Sequence, residues 1–178
     1  LLHAFSQGQR CQDIDLSDLF LNPGHDHGSC VEQAVARARQ VCEARGIRLT
    51  PLREAVLQVL TASHKALGAY DIIDRLSERG RKLAPISVYR IIDVLTEARL
   101  VHRLESKNAY FACLSQHDEA TSMVLLCEGC SRVAEAEAPA AWGAIEAITQ
   151  DGGFSVSATV FEVQGQCPDC RKHPPKAG

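Results

Sequence analysis

The sequence predicts an α+β chain of two small units: a helical unit closed by a β-hairpin, then a unit of mixed strands and helix. Three observations carry this expectation. Four stretches between Val31 and Arg99 repeat their apolar residues at helical spacing. The period drops to two from Leu100 onward, and two C-x-x-C pairs, Cys127/Cys130 and Cys167/Cys170, bracket most of the C-terminal unit. With 178 residues in all, each half holds fewer than about 90 residues, a size at which burial alone stabilises modestly and a metal or partner chain is often needed.

The first thirty residues hold no sustained period and contain the breaker run Asn22-Pro23-Gly24, so residues 1–30 read as a mobile tail. Val31, Ala34, Val35, Ala38, Val41 and Cys42 then mark a first helix that stops at Gly46. A second helix starts with Thr50 as N-cap and Pro51 at its first position, and carries Ala55, Val56, Val59 and Leu60 to about Ala62. Ala69 to Arg79, with Tyr70, Ile72, Ile73 and Leu76, forms a third, ended by Gly80; Pro85 opens a fourth over Ile86–Arg99. Leu100–Leu104 and Ala109–Cys113, joined by Ser106-Lys107-Asn108, read as a hairpin. Helices followed by a two-stranded hairpin is the order of a winged helix-turn-helix domain, assigned to residues 31–114. After a hinge at 115–122, strands at Met123–Cys127, Val133–Glu137 and Ser155–Val163 with a helix over Pro139–Thr149 suggest a small α/β dimerisation domain at 123–178.

Composition narrows the function. Hydrophobic residues make up 46% and charged residues 23%, as in ordinary globular chains. No apolar run approaches the roughly 18 residues of a membrane span, which argues against a membrane role. Eight cysteines, four of them in C-x-x-C pairs, without a secretory leader, fit a reducing, cytoplasmic setting. The net charge of −3 hides a basic middle: Val31 to Glu105 carries thirteen Lys and Arg against nine Asp and Glu, while both flanks are acidic. A basic segment in an acidic chain suits a domain that meets nucleic acid, although solvated helix faces are also often basic.

Four thiolates from Cys127, Cys130, Cys167 and Cys170 match a closed structural zinc site. Two disulfides or redox thiols are the alternatives, disfavoured by compartment and by the absence of thioredoxin-like surroundings. A looser group is His102 and Cys113 on the two hairpin strands, with His117 in the hinge and Glu135 beyond the first knuckle. An antiparallel hairpin brings the start of one strand beside the end of the other, so His102 and Cys113 can face one point. Singly, each has a plain structural reading: a strand histidine, a small buried thiol, a solvated carboxylate. Together they would join two domains only when a metal is bound, as a sensor requires. His25, His27 and Cys30 are a possible accessory metal group, weighed against an ordinary His-rich tail. Tyr89 and Arg90 sit near the start of the helix that would enter a major groove; on pattern alone they are base contacts or a core tyrosine and a surface charge. No H-E-x-x-H, deaminase signature or nucleophile constellation is present, so a zinc-dependent hydrolase is a distant alternative and the chain is not expected to be an enzyme or to take a small-molecule substrate.

Arg48-Leu49-Thr50-Pro51-Leu52-Arg53, Ala69-Tyr70-Asp71-Ile72-Ile73 and Ser87-Val88-Tyr89-Arg90-Ile91-Ile92-Asp93-Val94-Leu95 resemble the R-x-T-x-x-R, A-x-[ED]-[IL] and [ST]-V-Y-R-x-L-x-x-L blocks of the ferric uptake regulator family, with both C-x-x-C pairs in their family places. The resemblance spans about Val31 to Cys170. It implies a dimeric, metal-responsive repressor of double-stranded DNA, acting at inverted-repeat operators, with Tyr89 and Arg90 as base contacts and Tyr70 and Arg53 as backbone contacts. Iron-type members carry a histidine cluster before the first knuckle, where this chain reads Thr121-Ser122-Met123-Val124-Leu125-Leu126. His102, Cys113 and Glu135 look instead like the zinc uptake branch, which implies a regulatory site of His102, Cys113, His117 and Glu135, about two Zn²⁺ per chain and repression of zinc uptake genes. The branch commonly holds its second histidine where this chain has Ala120, so the place of His117, three residues earlier, departs from the pattern; Asp118, Glu119 or water is the alternative fourth ligand. An iron- or peroxide-responsive regulator of the same family is the nearer alternative reading.

Overall fold

The computed structural model describes residues 20, 27–113, 122–157 and 159–174. Helices α1 (His27–Ala44), α2 (Pro51–Thr61), α3 (Ala69–Glu78) and α4 (Pro85–Glu97) lead into strands β1 (Val101–Leu104) and β2 (Ala109–Ala112). Strands β3 (Ser122–Cys127) and β4 (Val133–Glu137), helix α5 (Pro139–Asp151), strand β5 (Glu162–Gly165) and helix α6 (Pro168–Lys172) follow.

The chain chemistry explains these boundaries. Thr50 caps α2 by accepting from the Arg53 N–H, and Pro51 occupies the first helical position, where a missing N–H costs nothing. Gly46 and Gly80 take φ values of +66° and +75°, the left-handed conformation that lets Ile47 N–H reach Cys42 O and Arg81 N–H reach Leu76 O, closing α1 and α3. At the start of α3, Asp71 Oδ2 accepts from the Gly68 N–H at 2.9 Å. Val56, Leu57, Val59 and Leu60 of α2, Ile72 and Leu76 of α3, Val88, Ile92 and Leu95 of α4 and Val101 of β1 interlock in one core.

The hairpin pairs Val101 with Ala112 and Leu104 with Ala109, and Asn108 at φ +47° turns the chain between them. The second sheet has the order β4-β3-β5, with β4 antiparallel and β5 parallel to β3; α5 lies in the crossover.

Three features differ from expectation. Helix α1 starts at His27, not Val31, because Ser29 and Gln33 hydrogen-bond one turn apart and the His27 ring lies 5.2 Å from that of His64, anchoring a first turn that lacks apolar periodicity. The last strand is Glu162–Gly165, not Ser155–Val163, because the ladder with β3 begins at its Val124↔Glu162 pair. The five-residue α6 holds Cys170 and is capped by Cys167, in a stretch too short to show a helical period.

Helix α5 buries none of its residues; Ile148 within it, and Phe154, Val160 and Val163 after it, are large apolar side chains left exposed in the second unit. Exposed apolar residues gathered in one unit of a chain suit an interaction surface.

Among the described residues the two units touch through an apolar cluster of Leu104 and Phe111 with Leu126 and Val133, and through several polar links. Segment 64–67 forms a strap: Val133 N–H donates to His64 O (3.0 Å), Ala66 N–H to Ser131 O (3.3 Å), and Leu67 exchanges two 2.8 Å bonds with Tyr110 of the hairpin. Glu162 on β5 accepts from the N–H groups of Glu105 (2.5 Å) and Ser106 (3.0 Å) at the hairpin turn. A further link runs through His102 and Glu135, described below.

Candidate metal centres and nucleic-acid interface

Cys127 ends β3 and Cys130 lies in the turn after it. Ser131 at φ +59° reverses the chain, so that Ser131 N–H reaches Cys127 O and Cys127 N–H reaches Arg132 O. Cys167 is the N-cap of α6, its sulfur facing the Cys170 N–H, and its own N–H donates to Cys127 Sγ at 3.3 Å. The ligand atoms of Cys127, Cys130, Cys167 and Cys170 all lie within 4.8 Å of one another. Tetrahedral zinc with Zn–S bonds of about 2.3 Å requires sulfurs about 3.8 Å apart. Cys130 and Cys167 are 3.9 Å apart, and none of these four cysteines is in a disulfide.

Burial pushes the Cys127 thiol up, but hydrogen bonds from the backbone of Cys167 and Cys130 and from their side chains outweigh it and bring the pKa to about 6. Burial and hydrogen bonds with the neighbouring sulfurs push Cys170 up to about 12. Crowded thiols cannot all ionise unaided, whereas a divalent cation among them removes that conflict. The residues present therefore fit zinc.

The second group joins both units. Cys113 follows β2, with its N–H on Leu100 O (3.0 Å), and His102 pairs with Phe111, so the two ligands are diagonal neighbours on one face of the hairpin. Glu135 comes from β4, is 8% exposed, and places Oε1 3.3 Å from His102 Nε2. The three ligand atoms lie within 4.8 Å of one another. Two zinc bonds of about 2.0–2.1 Å at a tetrahedral angle set N···O near 3.3 Å, so the spacing suits a metal as well as an ion pair. His117 lies outside the described residues. So does His25; His27 and Cys30 share the first turn of α1, and among the described residues they belong to no cluster of three or more metal-ligating groups.

Arg90 is exposed on α4, one turn and a half from its start, and Tyr89 is half-buried against the core. Tyr70 on α3 is 69% exposed, high for so large an aromatic ring, and Ile86 at the start of α4 is 60% exposed. Arg53 at the start of α2 is half-buried, its guanidinium donating to Arg48 O at 2.5 Å.

A family model described as the ferric uptake regulator family matches residues 44–164, well over half of the chain. The chain belongs to the ferric uptake regulator family. Among relatives, it is 34% identical over 140 residues to the zinc uptake regulation protein of Escherichia coli (strain K12), covering 78% of this chain and 82% of that one. Among solved structures, it is similar to a zinc uptake regulator complexed with zinc and DNA (TM-score 0.74, 32% identity, 80% of this chain and 95% of that chain). It is also similar to holo XcZur (TM-score 0.68, 34% identity, 80% of this chain and 99% of that chain). The α+β architecture, a winged helix followed by a dimerisation domain, is that of these family structures.

Three side chains that contact the candidate sites or join the two units escaped sequence reasoning. Arg37 of α1 donates to Cys113 O (3.2 Å) and to Cys113 Sγ (3.4 Å), although its position in the helix reads as a solvent-facing charge. Arg132 contacts the cysteine knuckles, and Glu162 caps the hairpin turn. Each makes at least one contact across a long sequence separation, and no local motif announces it.

Proposed function

We propose that the chain is a zinc-responsive transcriptional repressor that binds inverted-repeat operators as a homodimer and represses zinc uptake genes when zinc is plentiful. The observation that carries this reading is the convergence of His102 and Cys113 from the winged helix with Glu135 from the second sheet. Bound there, zinc supplies a divalent charge that holds donors from two units at one point. His102 and Cys113 then fix the hairpin, Glu135 fixes β4 against it, and the freedom between units that DNA binding would otherwise have to remove is already gone. His117 is proposed as the fourth ligand. A thiolate in the donor set favours a borderline-soft ion over Mn²⁺ or Fe²⁺, which supports zinc over an iron or peroxide sensor. The named relatives support the same choice, one being a zinc uptake regulation protein and another a zinc uptake regulator held with zinc and DNA.

The tetrathiolate group is proposed to hold a second, structural zinc, giving about two per chain. Residues 31–114 are proposed as the DNA-binding domain, 115–122 as the hinge and 123–178 as the dimerisation domain; α1 extends the first of these back to His27. Arg90 and Tyr89 would read bases from α4, with Tyr70 and Arg53 on the phosphate backbone. The unburied face of α5 with Ile148, Phe154 and Val160 supports pairing with a second copy. No described helix is long and apolar enough to cross a membrane, and the free thiols support a cytoplasmic setting.

A titration of DNA binding against an inverted-repeat promoter library, with free zinc, iron and manganese buffered separately and metal counted per chain, tests the proposal. Sequence-specific binding that is lost when only the weaker zinc is stripped is the expected result. Equal activation by iron, or binding indifferent to the weaker metal, would overturn it.

A further inference from the structure

Arg132, directly after the first knuckle, is 8% exposed, so its charge is held largely away from water. Its Nε donates to Cys130 Sγ at 3.3 Å and its Nη2 to Cys167 Sγ at 3.3 Å, one sulfur from each C-x-x-C pair. The same Nη2 meets Asp169 Oδ2 at 2.7 Å, and Asp169 sits between Cys167 and Cys170. One guanidinium thus spans both knuckles, oriented by a carboxylate of the second.

We propose that Arg132 is an outer-sphere positioning residue of the tetrathiolate centre that shields the Cys130 and Cys167 sulfurs. The inference rests on the structural-zinc reading of that centre. Four thiolates around Zn²⁺ leave a formal charge of about −2 in a poorly hydrated site. A guanidinium cannot lose its proton, and its rigid fork of donors fits two acceptors at once, which an ammonium cannot match. Its N–H groups draw electron density from the two sulfurs they touch, making these poorer nucleophiles and harder to detach from the metal, as outer-shell bonds do at metal sites generally. Cys127 and Cys170 receive no guanidinium bond among the contacts described, so the protection is selective: two sulfurs of four, one per knuckle.

The full-length zinc-loaded protein and its Arg132→Met variant are treated with iodoacetamide, whose carbon forms a thioether with an attacking thiolate as iodide leaves. Modification of each cysteine is followed by mass spectrometry, beside zinc transfer to a chelator. Loss of the charged bonds should speed alkylation at Cys130 and Cys167 roughly tenfold, leave Cys127 and Cys170 within about twofold, and hasten zinc release. Arg132→Lys, which keeps the charge but not the fork, should restore protection only in part. Equal acceleration at all four cysteines, the signature of a loosened fold, or no change at any, would overturn the assignment. Should Arg132→Met not fold, Asp169→Asn decides, because it removes only the orienting carboxylate: a smaller rise confined to Cys130 and Cys167 supports the proposal, and a uniform or absent one refutes it. A wild-type protein without zinc at the centre overturns the structural-zinc reading as well, whereas a zinc-loaded variant with unchanged selectivity overturns the role of Arg132 alone.

Discussion

Replacing Glu162 by alanine removes the carboxylate that the hairpin turn uses to grip the second sheet. Two backbone N–H groups, from Glu105 at 2.5 Å and Ser106 at 3.0 Å, lose a charged acceptor. A hydrogen bond to a charged group contributes about 1.5–3 kcal/mol when buried, but Glu162 is half-exposed and water replaces part of the loss, so about 1–2 kcal/mol for the pair is the working magnitude. The contact lies between the units and not within either core. The loss therefore falls on the interdomain equilibrium: operator affinity should drop roughly 5- to 30-fold in fluorescence anisotropy, with zinc content and far-ultraviolet circular dichroism unchanged. The pH dependence has a definite sign. Burial pushes the Glu162 carboxyl up, yet the hydrogen bonds from Ser106 and Glu105 prevail and lower it below its usual 4.5. A depressed carboxyl stabilises fully above its unfolded pKa and loses that contribution as pH falls through the folded value, so the gap between wild type and variant should be flat from about pH 6 to 8 and close only in acid. A gap under twofold at neutral pH, or one that changes between about pH 6 and 8, would refute the reasoning.

Cys113→Ser should reduce zinc from about two to about one per chain and make operator binding indifferent to added zinc while the tetrathiolate centre stays filled; full zinc response in this variant would sink the regulatory assignment. Arg90→Ala should cost about 1–3 kcal/mol on the preferred operator and flatten preference at one base position, measured by binding to an operator panel, whereas a uniform loss over all sequences would mark Arg90 as a phosphate contact. Ile148→Glu places a charge on α5 at a residue that is 72% exposed and should shift the sedimenting species from dimer to monomer at micromolar concentration; an unchanged dimer would place the interface elsewhere.

The helical unit was legible because each of its elements advertises itself locally. Thr50-Pro51, Gly46 and Gly80 are caps whose chemistry acts over a few residues, and the apolar period of α2 to α4 follows from a single core. The clustering of the candidate ligands was legible for a similar reason: C-x-x-C spacing is itself a geometric statement, and a hairpin fixes the relation of His102 to Cys113 once its strands are recognised. Strand Ser155–Val163 misled because alternation states only that a strand is possible. Pairing needs a neighbouring edge, and among the described residues the ladder with β3 runs over Glu162–Gly165. Helix α1 began earlier than its period because its first turn is anchored through His27 against His64, a contact between residues far apart in the chain.

By itself, then, the sequence determined the winged-helix order, the four thiolates and the family, since these depend on interactions within a few residues or on recognisable blocks. The tertiary structure decided that the Glu135 carboxylate stands 3.3 Å from His102, that Arg37 reaches the Cys113 sulfur and Arg132 the Cys167 sulfur, and that Glu162 ties the hairpin to the second sheet. Those are long-range pairings whose partners are chosen by packing, and packing is a property of the folded chain that no local window of residues contains.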